Sequence, residues 1–207
     1  MTHIGLFFGS FNPVHVGHMI IANYMIEYTA MDELWMILSP QNPFKSQKSL
    51  ANDYDRLHLL KLAIGDHLKI RASDVEFGLP KPSYTIDTLS YLKEKYPNKI
   101  FSLIMGGDNI ASFHKWKNYE QILAEHDIYV YRRGNDNEHK LGDTDRVKYA
   151  EAPLLNISAS YIRKAIKQGK SIQYLVTEEV FNYLNSNNIY KKSVSYTHLT
   201  LPTKRIV

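Results

Sequence analysis

Two histidines three residues apart give the first chemical lead in this chain. They sit in Gly9-Ser10-Phe11-Asn12-Pro13-Val14-His15-Val16-Gly17-His18, between a short apolar run and a helical pattern. At i and i+3, His15 and His18 project from one side of a helix's first turn. A cationic ring there opposes the helix dipole unless an anion compensates. Gly9 lets backbone approach a ligand closely, Pro13 suits a rigid turn, and the first helical N–H groups lack intrahelical partners. Together these features describe a phosphate site. The alternative is a packed, hydrogen-bonded histidine pair. The segment matches neither G-x-G-x-x-G nor G-x-x-x-x-G-K-[ST], so the dinucleotide fingerprint and the P-loop are absent. H-E-x-x-H is missing and no third ligand is evident, so no residue is assigned to a metal.

A second lead lies far along the chain, in Ile157-Ser158-Ala159-Ser160-Tyr161-Ile162-Arg163. Ser158 or Ser160 can cap a helix. Arg163 then falls in the first turn, again with the wrong sign for the dipole, and makes a second phosphate site plausible chemistry. A capped helix with an early Arg is the ordinary alternative. Lys45 is presented by a stiff loop, Pro40 to Lys45, and reads otherwise as a solvated lysine. Gly106-Gly107-Asp108 ends the most apolar run and suits close ligand approach, or else a turn with an Asp cap. Trp116 and Tyr84 offer faces for a flat ring, or fill the core.

These residues need a scaffold that gathers them. Short, continuously apolar runs at Ile4–Phe8, Leu34–Leu38, Ile100–Met105 and 127–131 read as buried strands. A weaker one spans 147–149, and 68–75 reads as one or two short strands. Helical patterns fall between them: 16–29, 53–64, 85–96, 119–125, 160–167 and 178–184. Alternation of this kind predicts an α/β fold, a doubly wound parallel sheet with a small C-terminal helical part. Ligands in such sheets bind beyond the carboxyl ends of the strands, which is where Gly9, Lys45, Gly107 and Asp108 fall.

Composition narrows the classes. The 207 residues contain no cysteine, so thiol catalysis, disulfides and iron–sulfur clusters are out. No apolar run reaches the ~18 residues of a membrane span, and the N-terminus has no basic leader; both fit a cytoplasmic protein with no membrane partner. Residues 1–192 read as one domain. The Thr-rich stretch 193–207 reads as a non-native or disordered tail, with a native pairing arm as the alternative. Without its Lys204 and Arg205 the formal charge of +4 falls to a body near +2, with no basic block for nucleic acid. A homo-oligomer stays open.

Gly9 to His18 resembles the G-x-F-[DN]-P-x-H-x-G-H signature of the HxGH nucleotidyltransferases, and Ile157 to Arg163 resembles their I-S-S-[TS]-x-I-R motif. Lys45, Pro82-Ser83-Tyr84-Thr85, Gly107-Asp108 and Trp116 stand where bacterial nicotinate-nucleotide adenylyltransferases carry similar residues, over about residues 1–190. Phosphopantetheine adenylyltransferases are similar but usually have Thr at the position of His15. Class I aminoacyl-tRNA synthetases share the His-x-Gly-His element but need a second Lys-rich motif not found here. Departures are Asn12 where Asp is common, Ala159 where Ser is common, and Lys117 where an aromatic is expected.

The resemblance implies a Rossmann-like nucleotidyltransferase of NAD biosynthesis that joins ATP and nicotinate mononucleotide, giving nicotinate adenine dinucleotide and pyrophosphate. Its catalytic set would be His15, His18, Lys45 and Arg163. ATP would be bound by Gly9, Ser10, Phe11, His15, Gly17, His18, Gly107, Asp108, Arg133, Ile157, Ser158 and Arg163. The mononucleotide would be bound by Lys45, Tyr84, Thr85, Trp116 and Lys117, with ring-carboxylate recognition by backbone N–H groups near Thr85 and Lys117. Mg²⁺ would accompany ATP. Alternatives are the same transfer to nicotinamide mononucleotide or another phosphate-bearing acceptor, and a non-catalytic nucleotide sensor.

Overall fold

The computed structural model describes residues 1–41, 50–131, 144–153 and 155–191. Among them, six parallel strands form one sheet in the order β3-β2-β1-β4-β5-β6. The strands are β1 (Thr2–Gly9), β2 (Glu33–Leu38), β3 (Ile70–Ser73), β4 (Lys99–Gly106), β5 (Ile128–Tyr131) and β6 (Val147–Ala150). The chain winds outward from β1 to β3, returns to the other side of β1 with β4, and winds outward again. The strand order therefore reverses between β1 and β4, and a crevice opens beyond their carboxyl ends.

Alternation along the strands divides the core into two layers. Ile4, Leu6, Trp35, Ile37, Phe101, Leu103, Met105, Ile128 and Val130 face one way. They meet α3 (Thr85–Lys95), α4 (Gly107–Ala111) and α5 (Tyr119–Glu125). Phe7, Leu34, Met36, Leu38, Ile104, Tyr129 and Tyr131 face the other way. They meet α1 (Val16–Tyr28), α2 (Asp53–Ile64), α6 (Ala159–Lys167) and α7 (Glu178–Ser186). Both faces are covered, which explains why the strands read as unbroken apolar runs.

Local chemistry sets the helix ends. Asn52 caps α2 by accepting from the Tyr54 N–H at 2.9 Å, and Asp53 and Asp55 suit its first turn. Gly65, at φ 56°, stops it. The stretch 68–75 holds one strand, β3, within the expected one or two, because the chain turns at Val75 into a 3-10 turn, Val75–Gly78. One expectation needs correction. The Gly106-Gly107-Asp108 segment is not a plain turn. Strand β4 runs to Gly106 and α4 starts at Gly107, with Asp108 inside its first turn rather than capping it. The segment 193–207 lies outside the described residues.

Candidate active site

Two glycines flank the loop after β1. A Cβ on Gly9 would strike the Phe11 ring at 2.8 Å, and one on Gly17 would meet the His15 imidazole at 3.1 Å. Gly9 and Gly17 thus let two aromatic rings fold onto backbone. Across the switch point, a Cβ on Gly106 would meet the Asp108 carboxylate at 2.5 Å. Phe11 itself sits at φ 41°, the left-handed region that costs a bulky residue about 1–3 kcal/mol. Its buried ring packs edge-on against Phe7 at 5.9 Å and His18 at 5.1 Å.

His15 is the extended N-cap residue of α1, and His18 lies three positions inside it. Their rings stack at 3.7 Å with 28° between planes. His15 donates its backbone N–H to His18 Nδ1 at 3.2 Å. In the neutral His18 ring the proton therefore resides on Nε2, which is the donor nitrogen. Not every backbone donor at this helix start awaits an anion, contrary to expectation. Val16 N–H donates to the Leu175 carbonyl at 3.0 Å, and His18 N–H closes a turn on the His15 carbonyl at 2.9 Å. The anion-binding capacity here therefore rests more on side chains than the sequence reading supposed.

Arg163 joins the two distant motifs. Its Nη1 donates to the Asn12 carbonyl at 2.7 Å and its Nη2 to Ser160 Oγ at 3.2 Å. Ser158 is the N-cap of α6, accepting from Tyr161 N–H at 3.2 Å. Counted from Ala159, Arg163 stands just past the first turn, and its side chain folds back toward the helix start. Asn12 Oδ1 accepts from Ala51 N–H at 3.1 Å and from Tyr190 OH at 2.7 Å. Burial pushes the Tyr190 hydroxyl well above the usual phenol range, so it stays a donor. One Asn thus ties together segments from residues 51, 163 and 190.

Arg56 was not singled out from sequence. It is fully buried on α2. Its Nε donates to the Ala51 carbonyl at 3.1 Å. Nη1 donates to the carbonyls of Ser10 at 2.6 Å and Ser39 at 3.1 Å. Nη2 donates to the Pro40 carbonyl at 3.2 Å and to Asp53 Oδ1 at 2.6 Å. All five donors of the guanidinium have acceptors. The loops after β1 and β2 are therefore fixed to each other through this one side chain. A sequence signal existed: Arg56 shares helical spacing with the buried Leu59 and Leu60.

A cavity of about 640 Å³ opens beside these loops, within the range of small-molecule sites. Of the residues singled out from sequence, Gly9, Ser10, Tyr84, Thr85, Trp116 and Lys117 line it, and Gly107 and Asp108 do not. Ser83, from the Pro82–Thr85 block, also lines it, as do Ser39, Glu76, Asn109 and Lys115, which the sequence did not single out. Glu76 is buried, and burial raises its carboxyl above the usual range, while the Thr88, Ser39 and Ser83 hydroxyls oppose that shift. Thr88 Oγ1 donates to Glu76 Oε1 at 2.9 Å. Nothing in the polar stretch around Glu76 marked it.

The expected residues fall into two adjoining groups that meet at Gly9 and Ser10. His15, His18 and Arg163 gather on the α1 and α6 side. Tyr84, Thr85, Trp116 and Lys117 gather at the cavity. Ile157 packs partly buried against the core layer beside α6. Lys45 and Arg133 lie outside the described residues. No group of three His, Asp or Glu able to hold a metal occurs among the described residues, and no described helix is long and apolar enough to cross a membrane.

The cytidylyltransferase-like family model matches residues 6–165. A Flavobacterium johnsoniae protein named "Probable nicotinate-nucleotide adenylyltransferase" is 51% identical over 191 residues, 91% of this chain and 99% of its own. A Cytophaga hutchinsonii protein of the same name is 53% identical over 187 residues, 90% of this chain and 97% of its own. Among solved structures, a Plasmodium falciparum nicotinic acid mononucleotide adenylyltransferase complexed with NaAD superposes with a TM-score of 0.74. It is 22% identical, with 92% of this chain and 98% of that chain covered, and shares the fold.

Proposed function

Because the chain belongs to the cytidylyltransferase-like family, and within it to the nicotinate-nucleotide adenylyltransferases, we propose that it joins ATP and nicotinate mononucleotide. The 5′-phosphate of the mononucleotide attacks the α-phosphorus of ATP. A phosphate oxygen–phosphorus bond forms, the bond to the β-phosphate oxygen breaks, and pyrophosphate leaves. The observation that carries this reading is the meeting of the stacked His15–His18 pair and Arg163 with an aromatic-walled cavity at Gly9 and Ser10.

Catalysis here is placement of two anions plus stabilisation of charge on phosphorus and leaving group. His18 is the transition-state donor, through Nε2, at the α-phosphate. His15, stacked on it, contacts the ATP phosphates beside it. Ser158 and Arg163 face the β- and γ-phosphates, and Lys45 bridges substrate phosphate and triphosphate. Phe11, Gly17, Gly107, Asp108, Arg133 and Ile157 complete the ATP side. Trp116 carries the pyridine ring, bordered by Tyr84 and Thr85. Mg²⁺ would neutralise phosphate charge. It would arrive with the triphosphate, since this small cation keeps much of its water and takes few protein ligands. A cytoplasmic location suits these substrates.

The test is pyrophosphate release with Mg²⁺-ATP, offering nicotinate and nicotinamide mononucleotides in parallel. A strong signal with the acid is expected. A stronger signal with the amide keeps the chemistry and overturns the substrate. Silence from folded protein with both refutes the reading and leaves the nucleotide sensor.

A further inference from the structure

One ion pair at the cavity mouth does more than decorate the surface. Lys117 Nζ donates to both oxygens of Asp87, at 3.0 and 3.1 Å. The same ammonium stands 4.8 Å from the centre of the Tyr84 ring. Tyr84 and Lys117 line the cavity with Trp116, whereas Asp87 holds the lysine from behind, in the first turn of α3. The ion pair and the ring face favour one placement of this long side chain before any ligand arrives, which lowers the ordering cost of recognition.

The cost of sharing this ammonium is low. Both partners are 45% exposed, and pairs so exposed contribute little to stability. An ammonium has three donors and can serve a second carboxylate without leaving the first. An anionic ring stacked beside Trp116, the preceding residue, gains a charge–charge attraction from this ammonium. A neutral carboxamide gains only the weaker ion–dipole hydrogen bond.

We propose that the Lys117 ammonium, tethered by Asp87 over the Tyr84 face, selects the ring carboxylate of nicotinate mononucleotide over the amide of nicotinamide mononucleotide. This rests on the adenylyl-transfer reading. It assigns acid selectivity to a side chain, beyond the backbone N–H groups of the same region.

The experiment measures kcat/KM for both mononucleotides, with saturating Mg²⁺-ATP, in the parent chain, Lys117→Met, Lys117→Arg, Asp87→Asn and Lys115→Met. Lys117→Met is expected to lower the acid-to-amide ratio about tenfold, through KM for the acid, as befits loss of a charge-assisted bond. Lys117→Arg is expected to restore most of the ratio. Asp87→Asn, which releases the ammonium from its tether, is expected to lower the ratio partway, again through KM for the acid. An active parent chain whose ratio is unmoved by Lys117→Met overturns the proposal and spares the reaction. A collapse confined to Lys115→Met does the same and moves the role to the neighbouring lysine. A parent chain silent with both mononucleotides overturns the reaction and the proposal together.

Discussion

Single side chains in this molecule work through what their neighbours make of them. His18 is a donor at Nε2 because the His15 backbone N–H occupies Nδ1. His18→Ala is accordingly expected to lower kcat about 10²–10³-fold, with a far smaller change in KM, as for loss of one transition-state donor. Steady-state kinetics with saturating ATP decides it, and an unchanged kcat removes His18 from that role. Arg56 is the converse case, a residue whose importance lies in satisfying others. Its five bonds reach four backbone carbonyls and Asp53. Lysine offers three donors from one point and cannot serve that set. Arg56→Lys is expected to cost about 2–5 kcal/mol, the range for stranded buried polar groups, read as a lower urea midpoint. A midpoint equal to the parent's contradicts this.

At the scale of elements, the strands were the most legible part of the sequence. Burial on both faces makes each an unbroken apolar run between turn residues, and the boundaries of β1, β2 and β4 fall close to their apolar cores. The short helix α4 was not legible, because five residues show no period. The two phosphate motifs were visible, but their junction was not. That junction runs through Asn12, whose partners lie 39, 151 and 178 residues away. Glu76 escaped notice because its meaning comes from Thr88 on another element. Its titration yields a prediction about the packing of α3 on the 3-10 turn. Burial raises the Glu76 carboxyl, so the folded chain holds that proton more tightly than the unfolded chain. Such a group favours folding below its unfolded pKa and loses that contribution as pH rises through its folded value. Glu76→Gln can still accept from Thr88 and never ionises. It is expected to melt higher than the parent at about pH 7.5 and to lose the advantage toward about pH 4. Equal melting curves across that range contradict a strained buried carboxylate.

For the whole molecule, the reversal of strand order between β1 and β4 places two half-sites side by side without merging them. The phosphate group belongs to the layer packed with α1 and α6, and the aromatic group to the layer packed with α3 and α4. Gly9 and Ser10 are common ground, and Arg56 fixes Ser10 to the loop after β2. The Trp116 ring centre lies 5.3 Å from that of Phe113, within the layer packed with α3 and α4. Removing its ring therefore acts on one half-site. Trp116→Ala is expected to raise KM for nicotinate mononucleotide roughly tenfold or more, from the loss of a large stacking surface. It is expected to leave ATP affinity within about twofold in a calorimeter, since the residues proposed for the triphosphate, His15, His18, Ser158 and Arg163, lie on α1 and α6. The same separation is readable without turnover. Each substrate alone is expected to raise the melting temperature of the parent chain by mass action, and Trp116→Ala is expected to retain the shift from Mg²⁺-ATP while losing that from the mononucleotide. Loss of both shifts in a folded variant means that the two halves are one cooperative site, closed over both substrates at once, and that the division of the core into two layers does not carry through to binding.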